Sequence, residues 1–183
     1  YIYIEKLSSI NLNMIKIKNK FNLIYRNNIT NEHPNKIISF IKRCKIKGIK
    51  FFIYNDMSMA LRFNADGVYL PSKNKSMLKK NQTKGKGFEI IGSAHNFQEI
   101  TYKRKQGCRK IVLSRLFKTE YKNKQSFYDI TRFNLLTKNF NNHFIALGGI
   151  RSHNLMKVKM ISCGGIAFLS EAKKKPAIIR RLF

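Results

Sequence analysis

The chain has 183 residues, of which 43% are hydrophobic and 12% aromatic, and a formal net charge of +28. That length can bury a sizeable core and reads as one domain over 1–183, while the apolar content excludes a disordered chain. No apolar run approaches the ~18–20 residues of a membrane-crossing helix, so no membrane partner is expected.

The start, Tyr1-Ile2-Tyr3-Ile4-Glu5-Lys6, has no basic segment leading into a long apolar one, so no signal peptide is expected. It also lacks an initiator Met, which leaves room for residues upstream. Cys44, Cys108 and Cys163 are scattered and form no CxxC pair, as expected of reduced thiols in a cytoplasm without a metal cluster. The charge admits nucleic-acid binding, because Lys and Arg neutralise phosphates. Yet the 37 basic residues are spread along the whole length and accompanied by many Asn and Ile. That is the pattern of a drift toward AT-rich codons filling exposed positions. Charge then sets solubility and nonspecific adhesion, and no specific nucleic-acid partner is expected.

In chain order, short apolar runs predict strands at Tyr1–Ile4, Phe21–Arg26, Phe51–Tyr54, Val68–Leu70, Glu89–Ile91, Lys110–Leu113, Phe144–Leu147 and Gly165–Leu169. Between them, Ile37, Ile38, Ile41 and Cys44 recur at helical spacing over Asn35–Lys47, and Gly48 stands at the cap position. Further helices are predicted at Met57–Phe63, Phe97–Gln106, Phe127–Lys138, Arg151–Ile161 and Glu171–Leu182, the last divided at Pro176. Eight strands alternating with helices give an α/β fold, a compact (βα)8 TIM barrel, with a doubly wound open sheet as the alternative. Both architectures put a ligand site at the C-terminal ends of the strands.

The residues at those ends are polar and include phosphate-binding types: Arg26, Asn55-Asp56, Ser72 to Asn74, Ser93 to Asn96, Arg115 to Lys122, Gly148-Gly149 and Ser170. Asp56 suits either a Mg²⁺ ligand or the N-cap of the following helix. Thr119 could donate to a phosphate and Lys122 could neutralise a pyrophosphate, although a lone Lys in this chain more often faces solvent. His95 suits acid–base work or helix capping. Two units couple a strand to glycines, His143 to Ile150 and Cys163 to Ser170. Glycines there let backbone approach a ligand, and N–H groups before a helix can cradle phosphate. No zinc-ligand spacing, Ser-His-Asp order or Walker loop is visible.

Taken together, five blocks resemble the thiamine-phosphate synthase family, including its thiazole tautomerase branch. They are Tyr54-Asn55-Asp56 through Ala65-Asp66-Gly67-Val68-Tyr69-Leu70; Ile90 to Asn96; Phe117-x-Thr119-x-x-Lys122; Ala146 to Ile150 with Asn154; and Gly164 to Ser170. The resemblance implies a (βα)8 barrel that joins hydroxymethylpyrimidine pyrophosphate to thiazole phosphate, giving thiamine phosphate and pyrophosphate. It implies that Arg26 and Asn55 contact the pyrimidine pyrophosphate, that Asp56 binds Mg²⁺, and that Ser93 or His95 and Lys122 lie at the pyrophosphate. Arg26 and Lys122 are the implied catalytic pair. Thr119, Gly148, Gly149, Leu169 and Ser170 would line the thiazole-phosphate pocket.

Several positions depart from the family pattern. Its Gln-x-Arg-x-Lys motif is here Ile24-Tyr25-Arg26-Asn27-Asn28, and its second Mg²⁺ carboxylate falls near Asn74, beside Lys73 and Lys75. The second loop Thr is Tyr121, Arg115 replaces a small residue or Pro, and the loop lacks the His of the tautomerase branch. Synthase chemistry is therefore expected over tautomerase chemistry. The alternatives are a silent barrel that binds thiazole phosphate or thiamine phosphate as a sensor or carrier and, less favoured, a nucleic-acid-binding protein.

Overall fold

The computed structural model describes residues 1–15, 20–26, 32–77, 87–119, 126–141 and 143–168. Eight strands run in order: β1 (Ile2–Ile4), β2 (Asn22–Tyr25), β3 (Lys50–Tyr54), β4 (Gly67–Leu70), β5 (Glu89–Ala94), β6 (Lys110–Ser114), β7 (His143–Leu147) and β8 (Gly165–Ala167). Every neighbouring pair is parallel. The sheet closes through a bridge between Ile2 and Phe168, where Phe168 N–H donates to Tyr1 O at 2.9 Å and Tyr3 N–H to Phe168 O at 3.2 Å. Closure removes both sheet edges and makes a (βα)8 barrel, not the open sheet.

Strand periodicity explains why these segments are apolar on both faces. Ile24, Phe52, Tyr69, Ile91, Val112 and Ile145 pack inside the barrel. Their neighbours Leu23, Tyr25, Phe51, Ile53, Val68, Ile111 and Phe144 pack in the larger outer cluster with the helices. A run such as Lys50-Phe51-Phe52-Ile53-Tyr54 therefore has no polar face to alternate.

The helices are α1 (Pro34–Ile46), α2 (Met57–Arg62), α3 (Phe97–Lys105), α4 (Asp129–Thr137) and α5 (Leu155–Val158). α1 buries Ile37, Ile41 and Cys44 of the expected stripe together with Phe40, while Ile38 is only half-buried, and Gly48 follows with φ +66°. Short 3₁₀ turns occupy Leu7–Ser9, Leu12–Met14 and Ser152–Asn154. None of the described helices is long and apolar enough to cross a membrane. Cys44 and Cys108 are buried, which pushes both thiols up to about 12 and makes them packing groups.

Two elements differ from expectation. The helix expected over Arg151–Ile161 is only the 3₁₀ turn and the four-residue α5. Asn154 explains the short start: its Nδ2 donates to Gly149 O at 2.8 Å, and its Oδ1 accepts from Arg151 N–H at 2.8 Å. Those side-chain bonds tie the entry turn back to the strand end and compete with a regular helical start. Strand β5 runs on to Ala94, because Gly92, Ser93 and Ala94 pair with Ile111, Val112 and Leu113. The helix expected over Glu171–Leu182 lies outside the described residues.

At the opposite rim, where strands begin, Glu89 bridges Lys50 and Lys110, the second at 2.5 Å. Burial would raise the Glu89 pKa, but hydrogen bonds and charge from Lys110 and Lys50 outweigh it and hold the carboxyl below its ordinary value. Its stabilising contribution is present above about pH 4.3, the unfolded value, and is lost as pH falls through the lower folded value. Glu89→Gln should lower stability at pH 7 by about 1 kcal/mol, discounted for the exposed lysines, and flatten the acid limb of the curve. Urea unfolding at pH 7 and pH 3 measures both.

Candidate active site

Because all strands are parallel, Arg26, Asn55-Asp56, Pro71 to Ser76, Ser93 to His95, Arg115 to Thr119 and Gly148-Gly149 share one rim. On the β2 side, Arg26 is anchored by its N–H to Ile4 O at 2.8 Å, and its guanidinium lies 5.0 Å from the centre of the Tyr54 ring. Tyr54 in turn stacks on Tyr69, with centroids 5.5 Å apart. The Arg26 Nε is buried and has no hydrogen-bond partner, the one such side-chain atom among the described residues. A buried guanidinium donor without an acceptor is costly, and an anionic ligand would satisfy it.

Beneath it, Tyr3 donates its phenol to Tyr69 Oη at 2.8 Å, and Ser93 also hydrogen-bonds to the Tyr69 phenol. Burial raises the pKa of both tyrosines, so they remain neutral phenols. Ser93 is buried inside the site, whereas His95 is exposed on its margin. His95 N–H and Nδ1 both meet Glu99 Oε2, at 2.7 and 3.0 Å, while Asn96 caps α3 by accepting from Glu99 N–H at 2.8 Å. His95 is thus engaged at the start of α3.

Asn55 follows β3 with φ +57°, a left-handed conformation that Asn tolerates, and accepts from Asn74 Nδ2 at 2.7 Å. Asp56 Oδ1 accepts from Met59 N–H at 2.8 Å, so the capping reading holds. The cap engages one carboxylate oxygen and leaves the other for a cation. No group of three or more His, Cys, Asp or Glu converges among the described residues. Asn74 Oδ1 is itself taken by Ser76 N–H at 2.9 Å. This donor set fits Mg²⁺ only as a one-carboxylate site completed by ligand phosphates and water, a mode the ion commonly adopts.

Across the mouth, Gly148 and Gly149 have φ of +100° and +67°. A Cβ on Gly148 would lie 2.8 Å from Arg115 Cγ, and one on Gly149 would lie 2.6 Å from the carbonyl oxygens of Phe117 and Lys118. Their absent side chains thus make room first for the segment after β6, which is also held by Leu116 N–H to Leu147 O at 3.0 Å and Phe117 N–H to Gly148 O at 3.1 Å. Helix α5 is too short to supply the helical phosphate cradle expected after these glycines. Arg115 reaches Thr119 Oγ1 at 3.2 Å. Lys122, Leu169 and Ser170 lie outside the described residues.

Sequence reasoning missed two residues that hold this rim. Lys103 and Gln106 of the α3 end are buried and hydrogen-bond to the segment after β4. Their signal was present: Lys103 stands three positions after the core residue Ile100, on the apolar face of the helix.

A closed parallel barrel with polar residues gathered at the strand C-terminal ends defines a (βα)8 barrel protein, the class in which ligand sites form at that end. Residues 4–172 match the family model for thiamine monophosphate synthase, and the chain belongs to that family. It is 30% identical over 142 residues to a thiamine-phosphate synthase of Prochlorococcus marinus (strain AS9601), covering 76% of this chain and 40% of that protein. A thiamine-phosphate synthase of Clostridium acetobutylicum is 25% identical over 123 residues, covering 67% of this chain and 58% of that protein. The chain spans about two fifths of the length of the Prochlorococcus relative. Among solved structures, thiamine phosphate pyrophosphorylase from Pyrococcus furiosus superposes with a TM-score of 0.72 at 17% identity, covering 99% of this chain and 92% of that one. A structure titled native KDPGal has a TM-score of 0.65 at 11% identity, covering 91% and 81%, so likeness of the barrel alone does not fix a function.

Gly149→Ala should lower stability by roughly 2–3 kcal/mol, because the new Cβ meets two backbone carbonyls at a left-handed φ. Urea unfolding reads that loss, and wild-type stability would show that the segment after β6 moves aside without cost.

Proposed function

We propose that this chain is the barrel of a thiamine-phosphate synthase, joining hydroxymethylpyrimidine pyrophosphate to thiazole phosphate in thiamine biosynthesis. The observation that carries this reading is the buried Arg26 Nε, an unsatisfied donor stacked on Tyr54 beside Asn55 and Asp56. Family membership over 4–172 supplies the reaction class, a transfer with release of pyrophosphate.

In this reading the pyrophosphate lies against Arg26 and Asn55, with Ser93 at its inner edge and Lys122 as a further cation. Departure breaks the bond between the pyrimidine methylene carbon and the pyrophosphate oxygen, whose electron pair leaves with pyrophosphate. The thiazole nitrogen then supplies the pair for the new C–N bond. Arg26 donates to the departing oxygens, where charge grows as the bond lengthens, so its contribution increases toward the transition state. Asp56 would hold Mg²⁺ through its uncapped oxygen, and the ion would add neutralising charge at the pyrophosphate. Thr119, Gly148, Gly149, Leu169 and Ser170 hold the thiazole phosphate opposite, bringing the two reactants together. A cytoplasmic setting and a single-domain organisation complete the proposal.

A second reading, a barrel that binds these phosphates without turnover, is favoured by one feature. Asn74, an amide, stands beside Asn55 where a second acidic residue would strengthen cation binding. Formation of thiamine phosphate from the two substrates with Mg²⁺ separates the readings. Ligand-dependent thermal stabilisation without product would support the second.

The two roles of Asp56 are separable by substitution. Asp56→Asn keeps a good helix cap but removes the charge, so stability should change by less than about 0.5 kcal/mol. Mg²⁺-dependent turnover should fall by about 10²-fold or more. Full activity in that variant would remove Asp56 from the metal role.

A further inference from the structure

One buried charge at this rim is not used by the proposed chemistry. Lys103 is fully buried, and its stem crosses Gly92, where a Cβ would come within 2.8 Å of the Lys103 Cδ. The absent side chain at 92 is what lets a lysine run through this layer. Its ammonium donates to Pro71 O at 2.7 Å, Asn74 O at 2.8 Å and Gln106 Oε1 at 2.8 Å. All three acceptors are neutral, so the hydrogen bonds are complete while the charge is not cancelled by a bonded carboxylate. Burial lowers the Lys103 pKa, and the fields of Cys108 and Glu99 oppose that shift.

Gln106 extends the contact. Its Nε2 donates to Ser76 O at 2.8 Å and Asn74 O at 3.2 Å. Asn74 then passes the constraint on, because its Nδ2 holds Asn55 Oδ1 at 2.7 Å. A continuous polar chain therefore runs from the end of α3, through the segment after β4, to the residue beside Asp56.

We propose that Lys103, with Gln106, is a positioning residue for the anionic half of the site, fixing Asn74 and Asn55 and adding a buried positive charge below them. The identity of the anion as pyrophosphate rests on the function proposed above. The physical reason is preorganisation: donors held in place before the ligand arrives need no rearrangement to receive it, and a buried charge is poorly screened. Lys73 and Lys75, the lysines that flank Asn74 in sequence, are exposed and less able to do this.

The test uses Lys103→Met and Gln106→Leu in the full chain, with chelator present so that only the protein's own groups are read. Inorganic pyrophosphate is titrated by calorimetry, and amide hydrogen exchange is followed over residues 72–77. Pyrophosphate affinity should fall about tenfold in Lys103→Met and about threefold in Gln106→Leu, with exchange over 72–77 faster by about tenfold while the strands stay protected. Unchanged exchange in both variants overturns the positioning role. Faster exchange with unchanged pyrophosphate affinity overturns its link to the site. If wild type binds no pyrophosphate either with chelator or with added Mg²⁺, the functional reading and the anion's identity fall, while exchange still decides whether Lys103 holds the segment. Should Lys103→Met not fold, Gln106→Leu decides by the same two measurements.

Discussion

The rim exists because the sheet closes on itself. Phe168 meets Tyr1 and Tyr3 by two backbone hydrogen bonds, and this joins β8 to β1. An open sheet would leave Arg26 and Gly148-Gly149 with no shared mouth. Closure brings all the strand C-terminal ends around one opening, so residues from distant parts of the chain meet at one mouth.

Inside that frame, the two sides of the mouth are built by different physics. On the β2–β5 side, aromatic rings stack under a guanidinium, and amides, a carboxylate and buried phenols supply hydrogen-bonding groups. On the β6–β7 side the decisive property is absence of bulk. Gly148 and Gly149 permit the backbone after β6 to press against the end of β7, which sets the shape of the mouth before any ligand is considered. Polarity governs one half and steric room the other.

Much of the fold was legible because burial on both faces leaves a plain trace. Runs such as Phe51-Phe52-Ile53 and Ile111-Val112-Leu113 have no polar alternation, and between them stand helices with caps and apolar stripes. Less legible were features decided by cross-chain bonds. Arg151–Ile161 has a helical composition, but the bonds of Asn154 back to Gly149 and Arg151 confine the regular helix to a single short turn. Ser93 has the look of a loop residue, yet its pairing with Val112 keeps it in the strand and buried beside Tyr69.

The sequence by itself determined the order of elements, the rim residues Arg26, Asn55, Asp56, Ser93 and Thr119, and the glycines that the crowded end of β7 requires. Local pattern is enough for these, since each depends on near neighbours or on strand direction. Only the tertiary structure decided that His95 turns to Glu99, that Arg26 Nε is left without an acceptor, and that Lys103 reaches across to Pro71 and Asn74. Those outcomes depend on contacts between elements far apart in the chain. In a sequence with 37 basic residues, composition could not single out the one lysine that is buried among the described residues.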